Sequence, residues 1–169
     1  ITFLIICLEM KEIKIGNGFD VHKLSVGKQI KLCGIEIKHN KKLIGHSDAD
    51  VGLHSLTDAL LGALGKGDIG IWFPPTERKW KNADSEFFLK KALKLMQKEN
   101  FLISNIDLTF ICEKPKISKF REIMIKKLSE ICNIEPKSIN IKATTSEKLG
   151  FTGREEGIAV LTTILIYKK

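Results

Sequence analysis

Residues 46–65 read HSDADVGLHSLTDALLGALG, and this stretch organises the rest of the chain. Apolar residues stand at positions 53, 56, 60, 61 and 64, which is the spacing of one helix face, and Gly65 ends the pattern. The spacing predicts a helix over 51–64. Along this helix Asp50, His54 and Asp58 follow one another at intervals of four residues, so groups able to bind a metal ion share one face.

The segments on either side predict a mixture of strands and helices. Residues 13–22 read as a strand interrupted by the glycines of Gly16-Asn17-Gly18, and residues 29–38 as a hairpin that turns near Cys33-Gly34. Residues 38–50 and 65–76 are irregular in pattern. Helices are expected over 85–100, where Asn82 or Asp84 is the N-cap, and over 118–132. Further strands are expected over 103–112, 139–145 and 157–167.

This order of elements describes an α/β sandwich of the α+β kind, in which helices pack on one face of a single mixed sheet. The other face of the sheet then needs cover, and association with copies of the same chain would supply it. The length of 169 residues fits one domain. We assign residues 13–169 to that domain and residues 1–12 to an N-terminal extension or the remnant of a leader.

Composition excludes several classes of protein. Hydrophobic residues make up 43% and charged residues 28%, as in ordinary folded domains. No stretch approaches the roughly 18 apolar residues of a membrane span, so we expect no membrane partner. The cysteines form no CxxC pair, which argues against a zinc ribbon or a disulfide framework and favours a reducing compartment; they are Cys7, Cys33, Cys112 and Cys132.

The net charge of +8 suggests an anionic partner. Only Arg78, Arg121 and Arg154 are arginines, whereas a nucleic-acid surface would be expected to use arginine for phosphate and guanine. The lysines are spread along the chain as on a solvated surface. We therefore expect no nucleic acid partner, and charge alone does not identify the anion.

A second polar group precedes the central helix in the stretch Gly18-Phe19-Asp20-Val21-His22. On a strand, Asp20 and His22 project to the same side and present a carboxylate oxygen and an imidazole nitrogen to one point. With His46, His54 and the acidic helix face they are candidates for an Asp-His-His metal site whose fourth position is open to substrate. Asp58 could instead orient His54. The alternative is a surface aspartate beside a histidine that makes ordinary hydrogen bonds.

Residues 142–154 read KATTSEKLGFTGR and form a third polar group. Four of them carry hydroxyls, Glu147 suits a hard cation, and Lys148 with Arg154 can neutralise phosphate. The glycines let backbone amides approach an anion. The pattern indicates a phosphate-binding loop, the alternative being a polar connection between strands.

Four segments together resemble the 2-C-methyl-D-erythritol 2,4-cyclodiphosphate synthase family of the non-mevalonate isoprenoid pathway: GFDVH (18–22), HSDADVGLHSLTDALLGALGKGDIG (46–70), PKI (115–117) and KATTSEKLGFTGREEGIA (142–159). The resemblance covers about residues 13–167. It implies a cyclising lyase, in which the 2-phosphate of 4-diphosphocytidyl-2-C-methyl-D-erythritol 2-phosphate attacks the β-phosphorus and CMP leaves. It also implies a homotrimer with active sites between neighbouring subunits.

The resemblance further implies the roles of individual residues. Asp20, His22 and His54 would hold one zinc ion per chain, and Glu147 would help to hold Mg²⁺ or Mn²⁺ bridging the diphosphate. His46 and Thr145 match the catalytic positions that stabilise the transition state. The positions matching substrate contacts are Asp20, His22, His46, Ser47, Asp68, Ile69, Gly70, Phe73, Glu77, Cys112, Pro115, Lys116, Ile117, Thr144, Thr145, Ser146, Glu147, Phe151 and Arg154.

Three positions depart from the family pattern. Pro75 stands where many members carry aspartate, so a carboxylate contact in the lid loop is missing or has moved to Glu77. Leu161 replaces an acidic residue that often lines the central cavity of the trimer, which argues against regulation by an isoprenoid diphosphate there. Cys112 replaces a small alanine at the start of the cytosine loop, a substitution compatible with cytosine binding.

Two other functions are compatible with the residues alone: a phosphodiesterase using zinc-bound hydroxide, and a basic binding module without catalysis. The abundance of lysine and isoleucine is typical of an AT-rich genome. We expect a plastid location if the source is a plastid-bearing parasite whose leader has been removed, and the cytoplasm otherwise.

Overall fold

A computed structural model describes residues 12–169, so the proposed extension over 1–12, apart from its last residue, and Cys7 lie outside the described residues. Strands β1 to β7 in chain order are Ile13–Val26, Gln29–Leu32, Ile35–Lys38, Lys41–Ile44, Phe101–Ile111, Ile139–Thr144 and Gly157–Lys168. Helices α1 to α5 are Val51–Ala63, Ile69–Trp72, Ser85–Lys98, Arg121–Cys132 and Gly150–Gly153. Single 3₁₀ turns occupy Arg78–Trp80, Ile117–Lys119 and Pro136–Ser138.

The main sheet has the strand order β4-β1-β7-β5-β6, and β2 pairs only with β3 in a separate hairpin. The β5–β6 pair is parallel and the other pairs are antiparallel, so the sheet is mixed. Helix α1 packs on β1 and β7, α3 packs on α1 and β5, and α4 packs on β6. The fold class expected from the sequence is confirmed: one mixed sheet with its helices on one face. Within the described chain, no helix is both long and apolar enough to span a membrane.

Two glycines set the distance between β1 and α1. We expected Gly16 and Gly18 to interrupt the strand, but β1 is continuous through both. A Cβ atom on Gly16 would lie 1.9 Å from the Ala59 carbonyl oxygen, and one on Gly18 would lie 1.9 Å from that of Ser55. Because only a residue without a side chain fits there, these glycines mark a close approach between strand and helix and not a break.

The segment 38–50 also differs from expectation, because it contains strand β4. This edge strand pairs antiparallel with the end of β1, where Lys23 lies opposite Ile44 and Val26 opposite Lys41. Only Leu43 in β4 is buried. A single buried residue in four positions gives too little periodicity to identify a strand from sequence.

The face of the sheet opposite α1 is apolar and uncovered in the single chain. Odd-numbered residues of β1 point to this face, and the side chains of Ile13, Ile15 and Phe19 are each more than half exposed. Leu161 of β7 lies opposite Phe19 across the strand pair and is 43% exposed. The face that the sequence predicts to need cover is therefore present in the described chain.

Candidate active site

Asp20, His22 and His54 converge at the edge of the contact between β1 and α1. Nε2 of His22 lies 2.9 Å from Nδ1 of His54, and these two nitrogens lie 3.1 and 3.2 Å from the same oxygen, Oδ2 of Asp20. One ligand atom from each residue lies within 4.8 Å of the others. Strand periodicity positions the first two residues, and the glycine contact brings the helix residue to them. This group of Asp20, His22 and His54 could hold a metal ion, and we call it the metal cluster.

In each histidine, the ring nitrogen that faces away from Asp20 is also hydrogen-bonded. Nδ1 of His22 donates to the carbonyl oxygen of Ile44, at 3.0 Å. Nε2 of His54 lies 2.8 Å from Oγ of Ser85 and 3.0 Å from Oγ of Ser47. Because a carbonyl oxygen can only accept, Nδ1 of His22 carries the proton and Nε2 is free to bind a cation.

The charges within the group support cation binding. Burial alone would raise the pKa of Asp20, but its close contacts with the imidazoles of His22 and His54 outweigh burial and hold the pKa well below its ordinary value. Burial would lower the pKa of His22, yet its contact with the Asp20 carboxylate raises the pKa overall. The carboxylate therefore stabilises positive charge at this point, either a proton on His22 or a metal ion.

The acidic residues on the central helix have other roles than the metal cluster. Asp50 is fully buried as the N-cap of α1, where its side chain accepts from the amides of Gly52 and Leu53. It also accepts from the amides of Cys33 and Gly34 and so fixes the β2–β3 turn on the helix. The expectation that Asp50 shares a metal-binding helix face with His54 is wrong, because the N-cap geometry turns the Asp50 carboxylate toward backbone amides.

Asp58 makes no hydrogen bond to His54 in the described structure, contrary to the orienting role considered from sequence. Its Oδ1 accepts from the amide of Ile69 at 2.7 Å, which anchors the short helix α2. Asp68 is the N-cap of α2 and accepts from the amide of Ile71. Asp58 and Asp68 thus position α2 beside the metal cluster.

A cavity of about 200 Å³ opens above the metal cluster. Its polar lining comes from His22, His46, Ser47 and His54, so the structure brings these sequence candidates together. The rest of its lining is α2 and an aromatic wall, comprising Ile69, Gly70, Phe73, Pro75, Trp80 and Phe88. Glu77 does not line this cavity; it lies beside Lys79, which pairs with its carboxylate.

The cytosine-loop candidates and the first residues of the phosphate loop meet at a second cavity of about 260 Å³, whereas Ser146, Glu147, Phe151 and Arg154 do not line it. It is lined by Cys112, Pro115, Lys116, Thr144 and Thr145 together with Glu113, Ser118, Arg121, Ile141, Lys142 and Ala143. Ile117 is buried beneath this loop. No residue in the described chain lines both cavities, so one chain presents the metal cluster and this pocket separately.

The loop after β6 has a constrained backbone. Glu147 and Lys148 both adopt left-handed angles, with φ of 52° and 63°. Such angles cost a non-glycine residue about 1 kcal/mol and are frequent at functional loops. The Thr145 hydroxyl donates to Glu147 at 3.0 Å, and the Ser146 hydroxyl donates to the Leu149 carbonyl oxygen at 2.8 Å.

The remaining two candidates lie at the end of this loop. Arg154 pairs with Glu156 through its Nε and one terminal nitrogen, at 3.0 and 3.1 Å, and is thus not a free cation in the isolated chain. Phe151 is 40% exposed on α5 and packs near Gly157. The residues that sequence analysis missed are Asp48 and Ser85 beside His54, and Trp80 and Phe88 in the cavity wall. Phe88 was expected only as a core position of its helix.

Comparisons with known proteins agree with this geometry. The model of the YgbB family matches residues 13–167. The chain is 50% identical over 157 residues to the bifunctional enzyme IspD/IspF of Dinoroseobacter shibae, covering 93% of this chain and 39% of that protein. It is 51% identical over 155 residues to the 2-C-methyl-D-erythritol 2,4-cyclodiphosphate synthase of Cereibacter sphaeroides, covering 92% of this chain and 98% of that protein.

Solved structures give the same result. The bifunctional IspDF of Campylobacter jejuni superposes with a TM-score of 0.91 at 42% identity, covering 95% of this chain and 43% of that one. The CDP complex of IspF from Plasmodium falciparum superposes with a TM-score of 0.83 at 39% identity, covering 95% and 99%. The chain spans about two fifths of the bifunctional relatives and nearly all of the single-function ones. Because the family model spans most of the chain and the fold and metal cluster agree with the resemblance drawn from sequence, the chain belongs to the YgbB family.

Proposed function

We propose that this chain is a 2-C-methyl-D-erythritol 2,4-cyclodiphosphate synthase of isoprenoid precursor biosynthesis. It converts 4-diphosphocytidyl-2-C-methyl-D-erythritol 2-phosphate to the 2,4-cyclodiphosphate and CMP. The observation that carries this proposal is the convergence of Asp20, His22 and His54 beneath a cavity lined by His46 and Ser47. The Cereibacter relative, matched along nearly its whole length, carries the name of this enzyme.

Zinc suits the cluster, because two imidazole nitrogens and one carboxylate oxygen are common zinc ligands and leave a fourth position open. When bound, zinc would supply a Lewis acid that polarises a phosphate group. We assign Glu147 as a residue that would hold a second ion, Mg²⁺ or Mn²⁺, which would neutralise charge on the diphosphate, because these hard cations prefer carboxylate and phosphate oxygens.

The reaction forms one bond and breaks one. An oxygen of the 2-phosphate bonds to the β-phosphorus, and the bond from that phosphorus to the oxygen bridging it to the α-phosphorus breaks. The bridging oxygen leaves with the bonding electrons as part of CMP. Because the attacking oxygen is already anionic, the protein has to position the groups and stabilise charge, and a protein base is not required.

The residues lining the cavities suit those tasks. We assign His46 and Thr145 as donors toward the charge that develops on the transferring phosphoryl group, with Ser47 holding a substrate phosphate. Asp68, Ile69 and Gly70 are assigned to the ribose. Phe73 and Glu77 belong to the adjoining lid, and the cytidine and its phosphate are assigned to Cys112, Pro115, Lys116, Ile117, Thr144, Ser146, Phe151 and Arg154.

We further propose that the working unit is a homotrimer and that each active site lies between two chains. Two observations support this: the apolar sheet face is uncovered, and the metal cluster and the second cavity are separate in one chain. A neighbouring chain would cover the face and bring its second cavity to the metal cluster. Each chain contributes one domain, residues 13–169.

The sequence left two compartments open, the plastid for a plastid-bearing parasite and the cytoplasm otherwise. The curated relatives described above are bacterial proteins, and they lend no support to a plastid location. We propose the cytoplasm.

A crystal grown with zinc and CDP tests the arrangement. The proposal predicts zinc on Asp20, His22 and His54, and cytosine at the Cys112–Ile117 loop of the neighbouring chain. A structure in which CDP binds a single chain away from both cavities would contradict it.

A further inference from the structure

Ser85, the first residue of α3, makes a hydrogen bond that its place in the helix does not require. Asp84 is the N-cap of α3 and accepts from the amide of Glu86 at 2.9 Å, so the Ser85 hydroxyl is not needed for capping. The Ser85 side chain is fully buried, and its Oγ lies 2.8 Å from Nε2 of His54. A buried hydroxyl thus reaches the outer nitrogen of a residue assigned to the metal.

Ser85 is in turn hydrogen-bonded to Asp48, and Asp48 to Lys31, which lies farther from the metal cluster. Oδ1 of Asp48 accepts a short hydrogen bond from the Ser85 hydroxyl and a second bond, at 3.2 Å, from the Ser85 amide. Oδ2 of Asp48 accepts from Nζ of Lys31 at 2.7 Å. Burial alone would raise the pKa of Asp48, but the hydrogen bonds from Lys31 and Ser85 outweigh it and keep the pKa below its ordinary value.

The chemistry of these groups gives the chain of hydrogen bonds one direction. A carboxylate can only accept and an ammonium group can only donate. The Ser85 hydroxyl proton therefore points to Asp48, and an oxygen lone pair of Ser85 is left for His54. That lone pair requires a proton on Nε2 of His54, which leaves the lone pair of Nδ1 facing Asp20 and His22.

Ser47 also lies close to His54 but does not impose this direction. Its Oγ is 3.0 Å from Nε2 of His54, and its other contacts are the Ala49 amide and the Ser85 hydroxyl. A hydroxyl can act as donor or acceptor toward an imidazole, so Ser47 is compatible with either tautomer. The carboxylate of Asp48 is what makes Ser85 an acceptor.

We propose that Ser85 and Asp48 are positioning residues, which fix the tautomer and ring orientation of His54 so that Nδ1 is presented to the metal. This inference rests on the metal site of the proposed function. His22 is oriented differently, by the backbone carbonyl of Ile44. A backbone carbonyl therefore orients His22, and a series of hydrogen bonds between side chains orients His54. Only the side-chain hydrogen bonds can be removed by substitution.

The first test reads the tautomer in the full chain stripped of metal. Protein labelled with ¹⁵N-histidine is compared at a pH above 8 by long-range ¹H–¹⁵N correlation. The wild-type chain should show His54 protonated on Nε2. Ser85→Ala and Asp48→Asn should shift the ring toward a mixture with the Nδ1-protonated form. Ser85→Thr, which keeps a hydroxyl, should restore the wild-type pattern.

The second test measures zinc affinity by competition with a chelator. Ser85→Ala and Asp48→Asn should weaken zinc binding by about 10- to 100-fold, as expected when the partner of a metal-binding histidine is lost. Glu86→Ala is the matched control: Glu86 follows Ser85 in the first turn of α3 and pairs with Lys90 and Lys127, outside the chain of hydrogen bonds, so this variant should keep both the tautomer and the affinity.

The outcomes separate the two proposals. If Ser85→Ala and Asp48→Asn keep the wild-type tautomer and bind zinc within twofold of the wild-type chain, the positioning role is overturned. If Glu86→Ala changes the tautomer as much as they do, the effect is one of local packing and the role is again overturned. If the wild-type chain binds no zinc, the proposed metal site fails, and the tautomer comparison still decides the role of Ser85 and Asp48.

Discussion

Nε2 of His22 lies 2.9 Å from Nδ1 of His54, although one residue is on a strand and the other on a helix 32 positions later. Both atoms also contact Oδ2 of Asp20. Three groups with lone pairs at such distances repel one another unless a cation lies among them. The contact between β1 and α1 holds them together, so the packing at Gly16 and Gly18 is part of the site.

Gly18→Ala should therefore damage both stability and the site. Its Cβ would lie 1.9 Å from the Ser55 carbonyl oxygen, and the strand and helix would have to separate. We expect a loss of about 3 kcal/mol in the free energy of unfolding, at the upper end for overpacking, and weaker zinc binding. Denaturant unfolding and chelator competition measure the two effects.

Gly62→Ala, on the helix α1 that packs against Gly18, is the matched control. The nearest atom to its added Cβ would be the Asn17 carbonyl oxygen at 3.7 Å, an ordinary contact. Alanine favours the helical conformation more than glycine does. We therefore expect the free energy of unfolding to rise by about 0.5–1 kcal/mol and zinc binding to be unchanged. Equal behaviour of the two variants would contradict the role given to the glycine contact.

His54→Ala should abolish function with little effect on the fold. It removes a ligand and leaves the apolar stripe of α1 intact, so the free energy of unfolding should change by no more than about 2 kcal/mol. Loss of the metal should lower turnover by roughly 10³-fold, equivalent to several kcal/mol of transition-state stabilisation. Metal analysis and steady-state kinetics measure this. Retained turnover in zinc-free His54→Ala protein would refute the assignment.

The Lys31–Asp48 pair should make stability depend on pH. The pKa of Asp48 is lowered from 3.8 and that of Lys31 is raised from 10.5. The stabilisation is therefore complete between these two ordinary values. It is lost as pH falls through the lowered pKa of Asp48 or rises through the raised pKa of Lys31. Lys31→Met should lower the free energy of unfolding by about 1–3 kcal/mol at pH 7.

Thermal or denaturant unfolding at several pH values checks this dependence. The difference in the free energy of unfolding between Lys31→Met and the wild-type chain should shrink as pH falls through the lowered pKa of Asp48. Lys94→Met, on the exposed face of α3, is the control and should stay within about 0.5 kcal/mol at every pH. A difference for Lys31→Met that does not change with pH would argue against the pair.

Phe19→Lys should break the trimer. Phe19 is 57% exposed at the centre of the uncovered face, and burying such a ring contributes about 1.5–3 kcal/mol in each chain. Sedimentation should give the mass of three chains for the wild-type protein and a smaller mass, without turnover, for the variant. Ile123→Lys is the control, because Ile123 is 49% exposed on α4, on the other side of the sheet. An active wild-type monomer would contradict the shared site.

The sequence predicted what depends on local spacing. The i, i+2 relation of Asp20 and His22 and the apolar stripe of α1 identified the strand, the helix and the metal cluster. Asp50 was misassigned because a residue one position before a helix follows the same four-residue interval as the helix itself, although its side chain turns back to cap the amides. The glycines of β1 were read as breakers because their function depends on the helix packed against them.

The role of Ser85 could not be predicted, since a serine at the start of a helix is most often part of the cap. Its partners Asp48 and His54 are 37 and 31 positions away and meet it only in the folded chain. Phe88 gave no signal either, because a cavity wall and a core position have the same helical spacing. Contacts of this kind arise from tertiary packing and carry no local pattern.

The most direct test of the account is ³¹P nuclear magnetic resonance of the reaction product. The chain is incubated with 4-diphosphocytidyl-2-C-methyl-D-erythritol 2-phosphate, Zn²⁺ and Mg²⁺, with His54→Ala as the inactive control. The account predicts two coupled resonances of a cyclic diphosphate together with one equivalent of CMP. The account would be contradicted by open-chain phosphates, which a phosphodiesterase would produce by hydrolysis. It would also be contradicted if a trimer fully loaded with zinc left the substrate unchanged.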